Sequence, residues 1–262
     1  MIGIFDSGFG GLTVLKELLQ VLPYEQFLYL GDTAHLPYGT KSRETILQYA
    51  LQNCTFLSRQ GVKCIVIACN TATSVALEQM QSLFSIPIIG VIDPLFDLLS
   101  SSHRIGILGT RATIASKLHE HKIQRLLPNT QITALAAPLL VSLVEEGWID
   151  HPITPLAIQD YIKPLLQANI DTLILACTHF PLIQHLIQKA TGPIVQIINP
   201  AIACAKATLQ ALTSHNLLSK EKAPAEPLFY VTDDPARFKE LGPRFLGHPI
   251  AQVKQANLEL KK

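Results

Sequence analysis

Apolar residues in this chain come in short runs that end abruptly in small polar residues, and longer amphipathic stretches separate them. The clearest run is IVIACNTAT, Ile65 to Thr73, in which apolar residues lead to Cys69 and Asn70 and Thr71 follow at once. LILACTHFP, Leu173 to Pro181, repeats the design around Cys177. Written on top of each other, VKCIVIACNT and IDTLILACTH share the Ala-Cys pair and an apolar residue at each of the four preceding positions. Runs this short and continuously apolar predict strands buried on both faces, as in parallel sheets. Each cysteine then stands at the carboxyl end of its strand, where open α/β sheets bind ligands. One such strand in each half of the chain predicts two thiols facing each other across a cleft.

The rest of the pattern supplies the surrounding units. Ile2 to Phe5 predicts a strand, DSGFGG a glycine-rich turn, and residues 12–22 a helix ended by Pro23. A strand over 27–30 precedes the polar loop GDTAHLPYGTKS. Ser42 reads as the N-cap of a helix to about Arg59, with Gly61 as its stop. After the first cysteine strand, a helix is expected over 74–84 and a strand over 87–92, broken by Asp93-Pro94. The pattern then restarts, with RIGIL at Arg104 echoing MIGIF and Gly109-Thr110 replacing Asp6-Ser7. One helix is expected over 113–127, a strand over 132–136, and a helix over 155–168 that Pro164 should kink or bound. The second cysteine strand, a helix to about Ala190 and a strand over 195–198 lead to a break at Asn199-Pro200. A helix over 201–216, a charged loop over 220–227, the strand LFYVT and a helix from near Pro235 complete the chain. Ile2 matches Ile105 at an offset of 103, and Cys69 matches Cys177 at 108. Two nearly equal offsets imply duplicated βα units related by a pseudo-twofold axis.

Composition narrows the function. The chain of 262 residues is 48% apolar, enough for a large domain or two small ones. Its 21 basic and 20 acidic residues leave a net charge of +1, so no nucleic acid or acidic membrane surface is expected as a partner. MIGIFDSGFGG lacks the basic start of a signal peptide, and no apolar run approaches the ~18 residues of a membrane span. The expected location is cytoplasmic, where the five cysteines stay reduced.

The chemistry gathers at the strand ends. Cys69 and Cys177 each have polar successors where the chain turns toward a helix, whose first amides could depress a thiol pKa or hold a carboxylate. Cys54, Cys64 and Cys204 read as small buried hydrophobes. His179, two residues past Cys177, is either a satisfied loop histidine or a proton partner of that thiol. Asp6 ends the first strand, so it is either a turn residue capping the next helix or a carboxylate reaching the same rim as the thiols. Glu145, like Glu146, carries no signal beyond a solvated side chain. DSGFGG lacks the spacing of a dinucleotide loop and has no phosphate-binding lysine, although it could present amides to a small carboxylate. A metal held by Cys69, Cys177 and His179 would need a fourth ligand such as His35, and no metal is assigned.

GIFDSGFGGLTVL, YLGDTAHLPYG, IVIACNTAT, IPIIGVIDP, IGILGTRATI, LVEEG, DTLILACTHFPLI and FYVT, in that order over nearly the whole chain, resemble the glutamate racemases of the aspartate/glutamate racemase superfamily. The resemblance implies two pseudo-symmetric open-sheet α/β domains with the active site in the cleft between them. It places one domain at 1–94 plus 200–262 and the other at 95–199. It further implies cofactor-independent interconversion of L- and D-glutamate, supplying D-glutamate for peptidoglycan. Cys69 would act on D-glutamate and Cys177 on L-glutamate, assisted by Asp6 and His179, with Glu145 a further acidic residue of the site. Ser7, Tyr38, Gly39, Asn70, Thr71, Thr113 and Thr178, together with Asp6 and His179, would hold the substrate. A homodimer is the assembly common in such proteins. The chain departs from the family pattern at Asp233, Asn199, Ser142 and Ala137, none of them a thiol of the pair, which leaves room for an altered substrate range. Three rivals stand: a racemase of aspartate or of a broader amino-acid set, a non-catalytic module binding a partner such as DNA gyrase, and a metal hydrolase.

Overall fold

The computed structural model describes residues 1–99 and 102–258. Among the described residues, ten strands form two wholly parallel sheets. The first half contributes β1 (Ile2–Asp6), β2 (Phe27–Gly31), β3 (Cys64–Ile67) and β4 (Ile88–Gly90). The second contributes β5 (Arg104–Gly109), β6 (Gln131–Ala136), β7 (Thr172–Ala176) and β8 (Gln196–Ile198). The order β2-β1-β3-β4 recurs as β6-β5-β7-β8, so the internal repeat is a repeat of topology. The first sheet is extended past β2 by β9 (Leu228–Val231) and β10 (Val253–Gln255). The edge strand β10 was not predicted, because three residues amid polar neighbours give no periodic signal.

The buried strands divide their side chains between two layers. Ile2, Ile4, Tyr29 and Val66 face a core that continues into the second sheet, and Phe5, Leu28, Leu30, Ile65 and Ile67 face a separate cluster under α2 (Arg43–Arg59) and α3 (Asn70–Leu83). This two-sided burial is why the strands read as unbroken apolar runs. The chain leaves the first sheet after β4 and returns after β8, where Asn199 caps α9 (Pro200–Ser214) and that helix packs along α1 (Leu12–Val21).

Ser42 caps α2 by accepting from the Thr45 amide, and Gly61 takes the left-handed conformation that stops it. Two expectations were off. The helix expected from Ser74 begins at Asn70: its small polar first turn is buried, and two of its hydroxyls bond to nearby backbone, Thr73 Oγ1 donating to the Ile67 carbonyl and Ser74 Oγ to that of Thr71. The helix expected over 113–127 is two, α4 (Arg111–Ala115) and α5 (Leu118–Leu126), with Lys117 between them at φ 54°. There Ser116 Oγ donates to the Thr113 carbonyl and accepts from the Leu118 amide, competing with the helical ladder. Pro164 lies in the last turn of α7 (Ile153–Gln167), so the helix ends soon after it. The remaining helices are α6 (Pro138–Glu145), α8 (Gln184–Thr191) and α10 (Pro235–Leu246).

Candidate active site

Strands β1 and β3 end side by side in the first sheet, as β5 and β7 do in the second. The residues just past these four ends, with loops above them, enclose a cavity of about 20 Å³. Both Cys69 and Cys177 line it. That volume is room for about one water.

Cys69 lies two residues beyond β3 and is the N-cap of α3. Its Sγ accepts from the Ala72 amide at 3.4 Å and donates to Ser7 Oγ at 3.8 Å. Burial nevertheless pushes the thiol up to about 12, and the carboxyl of Asp6 adds to the rise, while Ala72 and Ser7 oppose it. The expected depression by a helix start is therefore reversed here, because desolvation of a thiolate outweighs one amide. Asp6 is fully buried, with Oδ2 accepting from the Gly8 amide at 2.9 Å and Oδ1 accepting from Thr178 Oγ1 at 3.3 Å. Burial raises its pKa, against the charge of His179 and these hydrogen bonds.

Cys177 has different company. No α-helix starts at this thiol; a short turn at Phe180–Ile183 precedes α8. Cys177 Sγ lies 3.7 Å from His179 Nδ1, and His179 Nε2 lies 2.9 Å from Glu145 Oε1 at the end of α6. Burial alone would lower the imidazole pKa, but its hydrogen bonds to Cys177 and Glu145, with their charges, carry it well above the usual histidine range. The histidine thus bridges the thiol and Glu145 rather than standing apart in the loop.

Loops from the two halves touch at glycines. A Cβ on Gly10 would come within 2.2 Å of Thr178 Oγ1 and 2.7 Å of His179 Nδ1, and one on Gly39 within 2.6 Å of Thr110 Cβ. The glycines of DSGFGG therefore allow close approach of the halves. Thr13 Oγ1 reaches across to the Thr178 carbonyl at 3.0 Å. Thr71, Thr110 and Thr113 form a triangle of hydroxyls, with separations of 2.8, 3.1 and 2.9 Å.

Of the predicted site residues, Ser7, Tyr38, Gly39, Cys69, Asn70, Thr71, Glu145, Cys177, Thr178 and His179 line the cavity. Asp6 and Thr113 stand behind it, in contact with Thr178 and with Thr71. Tyr38 offers no free hydroxyl: it donates to Asp32 Oδ2 and accepts from Asn53 Nδ2. Sequence reasoning missed Thr110, Pro37 and Val141, which also line the cavity, and Asp32, which anchors Tyr38, His35 and Thr232. Thr110 had a usable signal, since the repeat aligns it with Ser7. Among the described residues, no three His, Cys, Asp or Glu side chains are grouped to hold a metal ion.

A family model described as Asp/Glu/hydantoin racemase matches residues 12–208. A glutamate racemase of Syntrophus aciditrophicus is 47% identical over 260 residues, spanning 98% of this chain and 96% of the relative. A solved glutamate racemase of Francisella tularensis, in complex with D-glutamate, superimposes with a TM-score of 0.93 at 39% identity, over 98% of this chain and 97% of that one. The structure from Thermus thermophilus, in complex with beta-chloro-D-alanine, gives 0.89 at 38% identity, over 98% and 96%. The chain belongs to the Asp/Glu/hydantoin racemase family and is an amino-acid racemase.

Proposed function

We propose that this enzyme interconverts L- and D-glutamate by proton transfer between two thiols on opposite faces of the α-carbon, without a cofactor. The supporting observation is that two cysteines from equivalent strands of two repeated sheets line one small cavity, each with its own polar partners. Inversion requires a base on one face and an acid on the other, and the reverse reaction exchanges their roles. Cys69, with its pKa at about 12, is a thiol at neutral pH and so is in the state of the acid. Cys177 faces L-glutamate and removes its α-proton, with His179 positioned at Nδ1 to exchange protons with Cys177 and Glu145 holding Nε2. For D-glutamate the roles reverse, and Asp6 and Ser7 serve Cys69.

The α-proton is a very weak acid, so carbanion charge must be stabilised in a water-poor site. Hydroxyls of Ser7, Thr71 and Thr178, backbone amides near Tyr38 and Gly39, and Asn70 bind the carboxylates and ammonium. Thr113 acts through Thr71 and Thr110. A cavity of about 20 Å³ does not admit glutamate, so the halves part to load substrate. We assign these halves as domains, 1–94 with 200–262 and 95–199. The product serves peptidoglycan synthesis in the cytoplasm, and the working assembly is a homodimer.

The test is L-glutamate in deuterated water, without pyridoxal phosphate or added metal. Proton NMR follows loss of the α-hydrogen and circular dichroism follows inversion. Loss of both signals is expected. Exchange of aspartate but not glutamate would change the substrate, and no exchange with any amino acid would end the proposal.

A further inference from the structure

His179 is held by more than its two hydrogen-bonding partners. The ring of Phe245, in α10, meets it edge to face, with centroids 5.6 Å apart and planes at 88°. Phe245 is buried, and on its other side it stacks on Phe9 of the glycine turn at 6.2 Å, with Phe9 stacked in turn on Phe238 at 5.4 Å. At the imidazole edge carrying Nδ1 and Cε1, the chain at Gly10 approaches so closely that a Cβ there would lie 2.7 and 2.8 Å from those atoms. Cys177 and Glu145 take the two ring nitrogens. One contact at each nitrogen leaves rotation about the line joining the two partners unopposed, so the tilt of the ring depends on what packs against its sides. Edge-to-face aromatic contacts have a preferred geometry and supply that restraint.

The restraint comes from a rigidly seated element. Asp234 caps α10 by accepting from the Arg237 amide at 2.9 Å. The helix packs on α1, and a Cβ on Gly242 would lie 2.6 Å from Ile250 Cδ1 and 3.2 Å from Leu12 Cδ1. It also lies beside the segment that follows α6: Arg237 Nη2 reaches Glu146 Oε1 at 3.3 Å, and Arg244 lies against Gly147. Helix α10 falls beyond the residues matched by the family model, and nothing in its amphipathic pattern marks it as part of the site.

We propose that Phe245 is a positioning residue for the racemase reaction: it fixes the tilt of His179 and thereby serves the proton transfer of Cys177 and not that of Cys69. This rests on the two-thiol reading, and the experiment separates the two. Enantiomers have equal free energy, so kcat/KM must be the same in both directions, and a lesion on one thiol cannot appear as a one-way loss. It appears instead in the isotope effects. Slowing the Cys177 step makes that step rate-limiting both ways, so the deuterium effect rises with α-deuterated L-glutamate and falls with α-deuterated D-glutamate.

Phe245→Leu is expected to lower kcat by roughly ten- to a hundredfold, the cost of a misplaced catalytic group, and to skew the isotope effects in that sense. Phe245→Tyr keeps the ring and should restore wild-type values. Phe238→Leu removes a ring from the same stack without touching His179, so it should cost stability and leave the isotope effects alone. In a His179→Asn background, Phe245→Leu should add no further loss. If Phe245→Leu does not fold, Phe245→Met, close in volume but without a ring, replaces it. Unskewed isotope effects in Phe245→Leu, or a full additive loss in the double variant, would overturn the proposal. If His179→Asn itself leaves the isotope effects unskewed, the pairing of His179 with Cys177, and this proposal with it, falls; the two-thiol reading fails separately if Cys69→Ala and Cys177→Ala leave racemisation intact.

Discussion

Cys69 and Cys177 occupy equivalent places in two copies of one strand-turn-helix design, but their neighbours differ in kind. Cys69 caps a helix, touches Ser7 and sits near a buried carboxyl, Asp6, whose charge works against ionising it. Cys177 caps no helix and instead faces an imidazole that holds its proton tightly and is backed by Glu145. The repeated topology brings two thiols to one cavity and surrounds them differently. An enzyme acting on mirror-image substrates gains nothing from identical surroundings, because its own backbone is chiral. The proposed reaction requires that one thiol be protonated when the other is not.

The largest effects should come from removing either thiol. Cys69→Ala and Cys177→Ala should each lower inversion of glutamate by about 10²–10⁴-fold, the usual worth of a positioned acid or base. Both side chains are small and buried, so circular dichroism should still show a folded protein. Residual α-hydrogen exchange sharpens the comparison: it should be confined to L-glutamate in Cys69→Ala and to D-glutamate in Cys177→Ala. Equal exchange of both enantiomers in either variant would sink the assignment of faces.

How much of this was legible beforehand depended on whether the signal was local. The paired strands could be read because burial on both faces leaves unbroken apolar runs ending in Cys69 and Cys177, whereas the strand order within each sheet was visible only in the structure. His179 could be read because it lies two residues from its thiol. The partnership of His179 with Glu145 could not: 34 residues separate them, and Glu145 alone looks like Glu146 beside it. The start of α3 was hidden because Asn70 to Ser74 have the composition of a turn, and only the fold shows their hydroxyls partnered by β3, by Thr110 and Thr113, and by the helix itself. Asp32 was in view within YLGDTAHLPYG, but its role in fixing Tyr38 depends on a loop folding back on itself. Phe245 had no signal of any kind, since a buried aromatic on an amphipathic helix is ordinary core until its neighbour is known.

A smaller effect should separate Glu145 from His179. Glu145→Gln keeps a hydrogen-bonding oxygen but removes a charge that helps to raise the imidazole pKa. The variant's His179 should lose its proton at lower pH, and the basic limb of kcat should move the same way. The sign extends to stability. A histidine whose folded pKa is raised stabilises the fold below its unfolded value of about 6.5, and that contribution fades as pH rises through the folded pKa. Thermal melts of wild type against Glu145→Gln should therefore differ most in mildly acidic solution and converge in alkaline solution. A basic limb that stays where it is would show that Glu145 orients the ring without tuning it.

The smallest effect is on the other thiol and has the opposite logic. Asp6 is the second contributor, after burial, to the high pKa of Cys69, so its charge helps to keep Cys69 in the thiol form. Asp6→Asn retains the shape and an oxygen to accept from the Gly8 amide or Thr178. It should let Cys69 ionise at lower pH even as racemisation slows. Peptide-resolved labelling with iodoacetamide across the alkaline range measures this directly, with Cys177 in the same sample as the internal reference. A Cys69 profile that moves down while the Cys177 profile stays put would show that Asp6 acts on its own thiol alone. If Cys69 moved up, Asp6 would be acting through the hydrogen bonds of the turn and not through its charge. If both profiles moved together, the two proton-handling sets would be one coupled system, joined through the contact of Asp6 with Thr178.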